Sequence, residues 1–161
     1  MTGRSELDAV DRKILRILGT DGRASYQAIA DEVGLSRPAV MERVKRLEES
    51  GHIAGYHARV DRARAGFPVT AFVAVRYTNS DYDGDEPRML ELEKHPGVLE
   101  CHHVAGEDCY ILKVAAPDLE SLQGILRDLR GTSAKTQLST RTTIVLGTVF
   151  EKPGFVPVEL D

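Results

Sequence analysis

The chain of 161 residues is 42% hydrophobic with a formal net charge of -4, which fits one ordinary globular domain or two small ones and excludes a disordered chain. No apolar run approaches the roughly 20 residues that span a bilayer, and the polar N-terminus lacks the apolar stretch of a signal peptide, so the cytoplasm is the expected location. Two cysteines, Cys101 and Cys109, are too few for a disulfide framework and are expected to be reduced thiols.

Charge is distributed unevenly along the chain. Residues 1–66 contain 12 Lys and Arg against 10 Asp and Glu, whereas residues 67–161 contain 9 against 15. Binding to nucleic acid is driven largely by Lys and Arg, so the first segment has the better charge balance for DNA phosphates. The asymmetry indicates two modules with different partners.

Three helices are predicted in the first part of the chain, each with an apolar stripe at helical spacing. Ser5 and Asp8 are expected to form the capping box of the first helix. Ser25 and Ser36 are placed as N-caps of the second and third helices, and Gly34 as the left-handed residue that ends the second. Because the connection between these two helices is so short, the sequence predicts a helix-turn-helix of the winged type.

The pattern then changes from helical to extended. Ile53–Val60 is predicted to be a strand, followed by a charged hinge, and the rest of the chain has the order β, α, β, β, α, β. That order predicts a ferredoxin-like sheet with both helices on one face, hence an α+β fold. The predicted strands are Val69–Tyr77, Val98–Ala105, Cys109–Ala116 and Thr136–Phe150, and the predicted helices are Glu86–His95 and one capped by Asp118. The predicted domains are a helix-turn-helix at 1–52, a linker at 53–66 and a ferredoxin-like domain at 67–161.

The third predicted helix presents a basic face on the side away from its apolar stripe. Basic residues on an exposed helix are often merely solvated, but the second helix of a helix-turn-helix enters the major groove of DNA. Side chains near its N-terminus are placed for base contact, later basic ones for phosphate, and the amides that begin the preceding helix can hold a phosphate. The predicted DNA-contacting residues are Ser25, Tyr26, Gln27, Ser36, Arg37, Pro38, Ala39, Glu42, Arg43, Lys45 and Arg46.

Three separated segments, DRKIL at 11–15, IADEVGLS at 29–36 and RVKRLEESGHI at 43–53, closely resemble the Lrp/AsnC family, also called the feast/famine regulatory proteins. The similarity continues at 100–106 and 110–114 and covers nearly the whole chain. It implies a transcription regulator that binds double-stranded DNA and forms homodimers, which assemble into tetramers or octamers. It also implies an amino-acid effector bound between dimers by the C-terminal domains. No catalytic residue, metal ion or cofactor is expected.

In this family the turn between the second and third sensor strands commonly runs Gly-x-x-Asp, and its glycine and backbone amides line the effector pocket. Gly106 matches, but Cys109 occupies the aspartate position, and a thiol pairs only weakly with an ammonium group. Either a neighbouring carboxylate substitutes or the ligand preference differs. Two threonines on one face of the last strand are candidates for a bound carboxylate, although β-branched residues are typical of any strand. The candidate effector-binding residues are Gly106, Glu107, Asp108, Cys109, Thr140 and Thr142.

Other interpretations of the cysteines are weaker. Redox sensing by Cys109 requires a nearby positive charge that lowers the thiol pKa, whereas Glu107 and Asp108 act in the opposite direction. A metal site could use Cys101, His102, His103 and Cys109, but neighbouring residues on a strand point to opposite faces, so the sequence alone does not make these ligands converge. Ordinary strand residues are the simpler interpretation.

Two alternative functions stay open. Siroheme decarboxylases are similar to this family, and His102 or His103 are then the acid-base groups, but such an enzyme has no need of a basic recognition helix. An architectural DNA-packaging protein could use Arg59, Arg62 and Arg64 on the linker without sensing a ligand. An absorbance titration with siroheme tests the first, and a ligand-dependent change in oligomer size argues against the second.

Overall fold

A computed structural model describes residues 7–77, 86–130 and 138–152. The described chain divides into two compact units, the first up to Arg59 together with the chain from Val149, and the second Val60–Thr148. The domain boundaries inferred from the sequence stay predictions. The elements in chain order are α1 (Ala9–Thr20), α2 (Tyr26–Val33), α3 (Arg37–Glu49), β1 (Val69–Tyr77), α4 (Glu86–Glu91) with a 3-10 turn (Leu92–Lys94), β2 (Val98–His103), β3 (Tyr110–Ala116), α5 (Leu119–Arg130) and β4 (Leu138–Ile144).

The helical unit begins at a capping box. The Asp8 carboxylate accepts a hydrogen bond from the Asp11 amide at 2.7 Å, and the Asp11 carboxylate accepts one from the Asp8 amide at 3.4 Å. The prediction that Ser5 and Asp8 form the capping box was wrong, because Asp8 is the N-cap and its partner is Asp11, three positions further into the helix. Ser5 itself lies outside the described residues.

The turn between α2 and α3 is defined by two serine caps and one glycine. The Ser25 hydroxyl accepts a hydrogen bond from the Ala28 amide at 3.1 Å, and the Ser36 hydroxyl accepts one from the Ala39 amide at 3.4 Å. Gly34 has φ 73°, a left-handed conformation that residues with a Cβ adopt only with strain. Both caps and the glycine are as predicted, so α3 begins at a defined position relative to α2.

A core of buried apolar side chains from all three helices holds the helical unit together. Its α3 members, Val40, Val44 and Leu47, are the inward stripe that the sequence predicts. Because these positions are buried, the opposite side of α3 is left in solvent. The core consists of Ile14, Leu15, Ile29, Ala30, Val40, Val44 and Leu47.

The strand predicted over Ile53–Val60 is absent, and the described residues between α3 and β1 contain no strand. Ile53 contacts the helical core and its amide donates to the Leu47 carbonyl at 3.0 Å, but residues 54–60 are exposed. A strand forms only where its backbone groups pair with a neighbouring strand, and none of the described strands pairs with this segment. The predicted hinge is a turn, closed by a hydrogen bond from the Ala65 amide to the Asp61 carbonyl at 3.0 Å.

The second unit contains a four-stranded antiparallel sheet in the order β2-β3-β1-β4. Its core includes Met89 of α4 and Leu122 of α5, so both helices cover the same face, and the predicted ferredoxin-like arrangement is confirmed. Among the described residues, no helix is long and apolar enough to cross a membrane. The core consists of Ala71, Val73, Val75, Met89, Tyr110, Leu112, Val114, Ala116, Leu122, Ile125 and Leu129.

The last strand is shorter than predicted. Ile144 pairs with Ala71, and the Val145 amide donates to the Thr70 carbonyl at 2.8 Å. Beyond this point β1 has only its first residue, Val69, left to pair. The prediction that the strand continues to Phe150 was therefore wrong, and Thr136 lies outside the described residues.

Candidate DNA-binding surface and effector site

The first turns of α2 and α3 are exposed on the helical unit. Residues 25–27 begin α2 and residues 36–38 begin α3, and all six are exposed. The amides of a helix N-terminus point outward and carry a partial positive charge, so both turns are suited to a phosphate oxygen. These sequence-predicted residues are brought together on one unit by the capped turn described above.

Further along α3, Glu42 and Lys45 are exposed and Ala39 is half-buried. The Lys45 ammonium lies 3.6 Å from the Glu49 carboxylate, four residues on. An ion pair of this kind on the surface contributes little and exchanges readily with water. Lys45 is therefore available to another anion.

The structure gives two of the predicted DNA-contacting arginines partners on α1. Arg43 Nη1 donates to Asp8 Oδ2 at 2.6 Å and to Asp11 Oδ1 at 2.8 Å. Arg46 Nη2 donates to both carboxylate oxygens of Asp11, at 3.0 and 2.9 Å. The hydrogen bonds to these carboxylates raise the pKa of Arg43, and the Asp11 amide, followed by Arg43, lowers the pKa of Asp8.

Sequence reasoning missed Asp11 as a functional candidate. Asp11 is only 2% exposed, because it occupies an inward position of α1 between the apolar residues Leu7 and Ile14. A carboxylate in the apolar stripe of a helix was the available signal, since such a group is buried only with a cationic partner. Helical spacing alone does not say which neighbouring helix supplies that partner.

A tyrosine after α3 packs back onto the helical unit. The Tyr56 hydroxyl donates to Glu48 Oε1 at 2.8 Å, and its ring lies beside Gly22 in the turn before α2. Burial, and then the Glu48 carboxylate, raise the pKa of Tyr56 to about 12. Tyr56 therefore ties the start of the linker to the end of α3, a contact that sequence reasoning did not foresee.

In the second unit, the turn between β2 and β3 contains four of the candidate effector-binding residues. Gly106 has φ 149°, and open space lies where a side chain would project. The Cys109 amide donates to the Val75 carbonyl at 2.9 Å, and the Cys109 carbonyl accepts from the Val104 amide at 3.0 Å. The turn is thus held at its base while its glycine stays accessible.

The carboxylates of this turn differ in their surroundings. Asp108 Oδ2 accepts a hydrogen bond from Arg141 Nη2 at 2.9 Å, whereas Glu107 is exposed. The pair with Arg141 fixes the Asp108 carboxylate between the turn and β4. A positively charged group that approaches Gly106 therefore meets one carboxylate paired with Arg141 and one that is exposed to solvent.

The two threonines are separated from that ion pair by the register of β4. Thr140 pairs with Val75 and Thr142 with Val73, both of which face the helices, while Arg141 pairs with Ala74. Successive residues of a strand point to opposite faces, so the Arg141 side chain lies on the other face from both threonines. The structure brings Gly106–Cys109 into one turn but does not bring the threonines to the Asp108–Arg141 pair.

The histidine and cysteine residues of β2 also alternate between faces. Cys101 pairs with Leu112 toward the helices, and burial raises the pKa of its thiol. On the other face, Glu100 lies 3.0 Å from His102 Nε2 and 3.3 Å from Lys113 Nζ, and these contacts, His102 first, lower the pKa of Glu100. Within the described parts of the chain, no group of three His, Cys, Asp or Glu side chains is placed to hold a metal ion.

A helix-turn-helix with an exposed recognition helix, followed by a ferredoxin-like unit with an accessible glycine turn, defines a transcription regulator that binds DNA and a small effector. Residues 7–48 match the AsnC-type helix-turn-helix domain, and residues 70–155 match the Lrp/AsnC ligand binding domain. The chain belongs to the Lrp/AsnC family, as its resemblance predicted.

Individual relatives agree with this assignment. The HTH-type transcriptional regulator LrpA of Mycobacterium tuberculosis is 36% identical over 151 residues, which cover 94% of this chain and 97% of LrpA. A feast or famine regulatory protein from M. tuberculosis, solved in complex with L-methionine, has a TM-score of 0.83 at 36% identity and covers 94% of this chain and 100% of its own. A transcriptional regulator–L-Met complex from Neisseria meningitidis has a TM-score of 0.84 at 25% identity, with coverage of 94% and 97%.

Proposed function

We propose that an amino acid is the effector of this regulator and that its binding changes the assembly of the chain and its affinity for specific DNA sites. The observation that carries the proposal is the accessible Gly106 turn in a domain whose structural neighbours were solved with L-methionine. A ligand that bridges two copies shifts their association equilibrium, and a coupled change in DNA affinity follows by reciprocal linkage.

On DNA, the first turn of α3 enters the major groove. Arg37, Ala39 and Glu42 are directed to base edges and Lys45 to a phosphate, while the exposed N-terminal amides of α2 hold a second phosphate. The exposure of Arg37, Glu42 and Lys45, together with the two serine caps, supports this placement. Arg43 and Arg46 belong to the same predicted set, but their hydrogen bonds to α1 distinguish them from it.

The DNA-contact proposal is tested with a binding site selected from a random pool of duplexes. Arg37→Ala is expected to weaken binding to the selected site by about 1–3 kcal/mol if Arg37 reads a base, and to weaken binding to random duplex much less. Arg16 on α1 offers a matched control, since Arg16→Ala makes the same change at an exposed helix position outside the predicted set. An equal loss on both kinds of DNA would assign Arg37 to a phosphate instead.

In the effector site, Glu107 or Asp108 takes the role of the aspartate that the family commonly has at the position of Cys109. The ammonium group of an amino acid needs a carboxylate partner, and these two side chains flank the turn at Gly106. Thr140 and Thr142 stay candidates for the effector's carboxylate, from the helix-covered face of β4. Glu107→Gln and Asp108→Asn separate the two possibilities, because only the variant that lacks the partner loses affinity for the amino acid.

A thermal-shift screen of the twenty amino acids identifies the effector. A ligand that binds only the folded state at 100 times its Kd stabilises that state by about 2.7 kcal/mol. Gly106→Trp should abolish this shift and the effector's influence on DNA binding, while DNA affinity without effector stays nearly unchanged. A full response in that variant would place the pocket elsewhere.

A homodimer that assembles into tetramers or octamers is the proposed working form. The sheet face opposite the helices carries Phe72, which is 43% exposed, and the edge strands β2 and β4 leave backbone groups for pairing. Two-fold symmetry in the protein predicts an operator with pseudo-palindromic half-sites. A stable species of 17.7 kDa in light scattering at micromolar concentration would contradict this.

No enzymatic role is proposed, because the relatives are named transcriptional regulators and not enzymes. An absorbance change on mixing the protein with siroheme would argue otherwise. DNA packaging by Arg59, Arg62 and Arg64 is disfavoured by the ligand-binding domain, which packaging does not require. The cytoplasm is the proposed location, because a transcription regulator acts where the DNA lies and in bacteria and archaea that is the cytoplasm.

A further inference from the structure

Asp11 is a carboxylate in the core of the helical unit. Its side chain is 4% exposed, and it accepts hydrogen bonds from two arginines of α3. A carboxylate that is removed from water remains ionised only when cations and hydrogen bonds replace its hydration. Arg43 and Arg46 are therefore needed beside Asp11, because their hydrogen bonds replace the water that this buried carboxylate has lost.

We infer that Arg43 and Arg46 are positioning residues, which hold α3 against α1 through Asp11 and Asp8 and do not contact DNA. The cations that α3 contributes to DNA binding are then Arg37 and Lys45. This inference rests on the proposed binding of DNA by α3, and it reassigns two residues that the sequence pattern alone directs to bases and phosphates.

The geometry of the cluster restricts how α3 can move. Arg43 and Arg46 lie three residues apart on one flank of α3, in successive turns, and both reach the same carboxylate. A single ion pair allows a helix to rotate about its axis. Two ion pairs that join successive turns of the helix to one carboxylate oppose both rotation and sliding. Arg43 adds a bond to Asp8, the N-cap of α1, so the cluster joins the start of α1 to the middle of α3.

Exposure and hydrogen bonding both separate Arg43 from Lys45, whereas Arg46, whose side chain is 52% exposed, differs from Lys45 by its two hydrogen bonds to the buried Asp11. The Arg43 side chain is 26% exposed and bonded to two carboxylates at 2.6 and 2.8 Å, whereas the Lys45 side chain is 74% exposed and paired only at 3.6 Å. To reach a phosphate, Arg43 has to leave a buried carboxylate partly uncompensated. Lys45 exchanges one exposed partner for another, so DNA recruits Lys45 and leaves Arg43 in place.

The salt dependence of binding to random duplex DNA tests this assignment. The slope of log K against log salt is negative, and its magnitude falls by about 0.9 for each phosphate contact that is lost. Lys45→Met should show that change, whereas Arg43→Met and Arg46→Met, which remove the same charge from the same helix, should leave the slope unchanged. A fall of about 0.9 for Arg43→Met would overturn the inference for that residue, and likewise for Arg46→Met.

A double-mutant cycle with Asp11→Asn separates positioning from base reading. If Arg43 acts through Asp11, Arg43→Met lowers the melting temperature and the affinity for a selected DNA site, and both losses shrink in the Asp11→Asn background. A base-reading Arg43 predicts an unchanged melting temperature, the same loss of affinity in both backgrounds, and relaxed preference at one base pair of the reselected site. Those results would overturn the inference.

A conservative variant and a control on DNA binding by the parent protein complete the experiment. Arg43→Lys retains a cation beside Asp8 and Asp11, so it should recover part of the melting temperature lost in Arg43→Met and serves if the methionine variant does not fold. If the parent protein binds no duplex DNA at any salt concentration, the proposed function fails. The melting-temperature cycle then still decides whether Arg43 holds α3 through Asp11, since additive losses refute that role.

Discussion

Replacement of Gly97 by alanine tests how closely α5 packs on the start of β2. Gly97 is buried, and a Cβ there would lie 2.5 Å from Ile125 Cδ1 and 3.0 Å from the Ala115 carbonyl oxygen. Gly97 is not among the glycines with positive φ, so alanine brings no backbone strain and contributes about 0.4–1 kcal/mol by restricting the unfolded chain. Overpacking of a core costs about 1–3 kcal/mol, which leaves a net destabilisation between about 0 and 2.6 kcal/mol.

Urea unfolding followed by far-UV circular dichroism measures this loss. Ile125→Val removes the methyl group that the new Cβ meets and alone costs about 0.5–1.5 kcal/mol, so the double variant should lose less than the sum of the single variants. Gly124→Ala, in α5 with nothing within 4 Å of the added Cβ, is the matched control and should stabilise by about 0.5–1 kcal/mol. Strict additivity, or a Gly97→Ala variant as stable as Gly124→Ala, would refute the packing argument.

Three further predictions address single contacts. The Ser121 amide donates to Asp118 at 2.7 Å and lowers the pKa of that carboxylate. Asp118→Ala should therefore reduce the melting temperature at neutral pH. The difference in melting temperature between variant and parent should vanish as pH falls through the pKa of Asp118. Burial, and then the bond to Glu48, raise the pKa of Tyr56 to about 12, so the stability contributed by the neutral phenol is complete below pH 10 and is lost toward about pH 12. Tyr56→Phe should remove a late component from the absorbance titration at 295 nm, and an unchanged titration would count against this assignment. Phe72→Asp should dissociate the proposed dimer in light scattering without loss of far-UV dichroism, whereas unchanged mass would exclude this sheet face as the interface.

Local signals in the sequence predicted most of the secondary structure. Ser25, Ser36 and Asp118 cap helices by bonding to amides three residues further on, and Gly34 adopts the left-handed conformation that its position requires. Each of these interactions depends only on neighbours within one turn of helix, so residue types in order are sufficient to predict them. The apolar periodicities likewise predicted the inward faces and, with the element order, the sheet with helices on one face.

Predictions failed where an element depends on a distant partner. Ile53–Val60 has the composition of a strand, but no described strand pairs with it, and β4 ends at Ile144, whose partner Ala71 lies two residues from the start of β1. Composition reports the tendency of a segment to be extended, whereas a strand also requires backbone hydrogen bonds to a second segment. The sequence does not say where that segment begins and ends.

For the site, the sequence alone determined that α3 is a capped, basic helix and that Gly106–Cys109 form one turn, since both follow from residues adjacent in the chain. Only the tertiary structure decided what the charges contact, because Arg43 meets Asp11 across 32 residues, Arg46 meets it across 35 and Arg141 meets Asp108 across 33. An exposed position on a helix is compatible with any nearby anion. The burial of Asp11 decides which anion Arg43 and Arg46 bind, since a buried carboxylate holds its cations more strongly than an exposed one does.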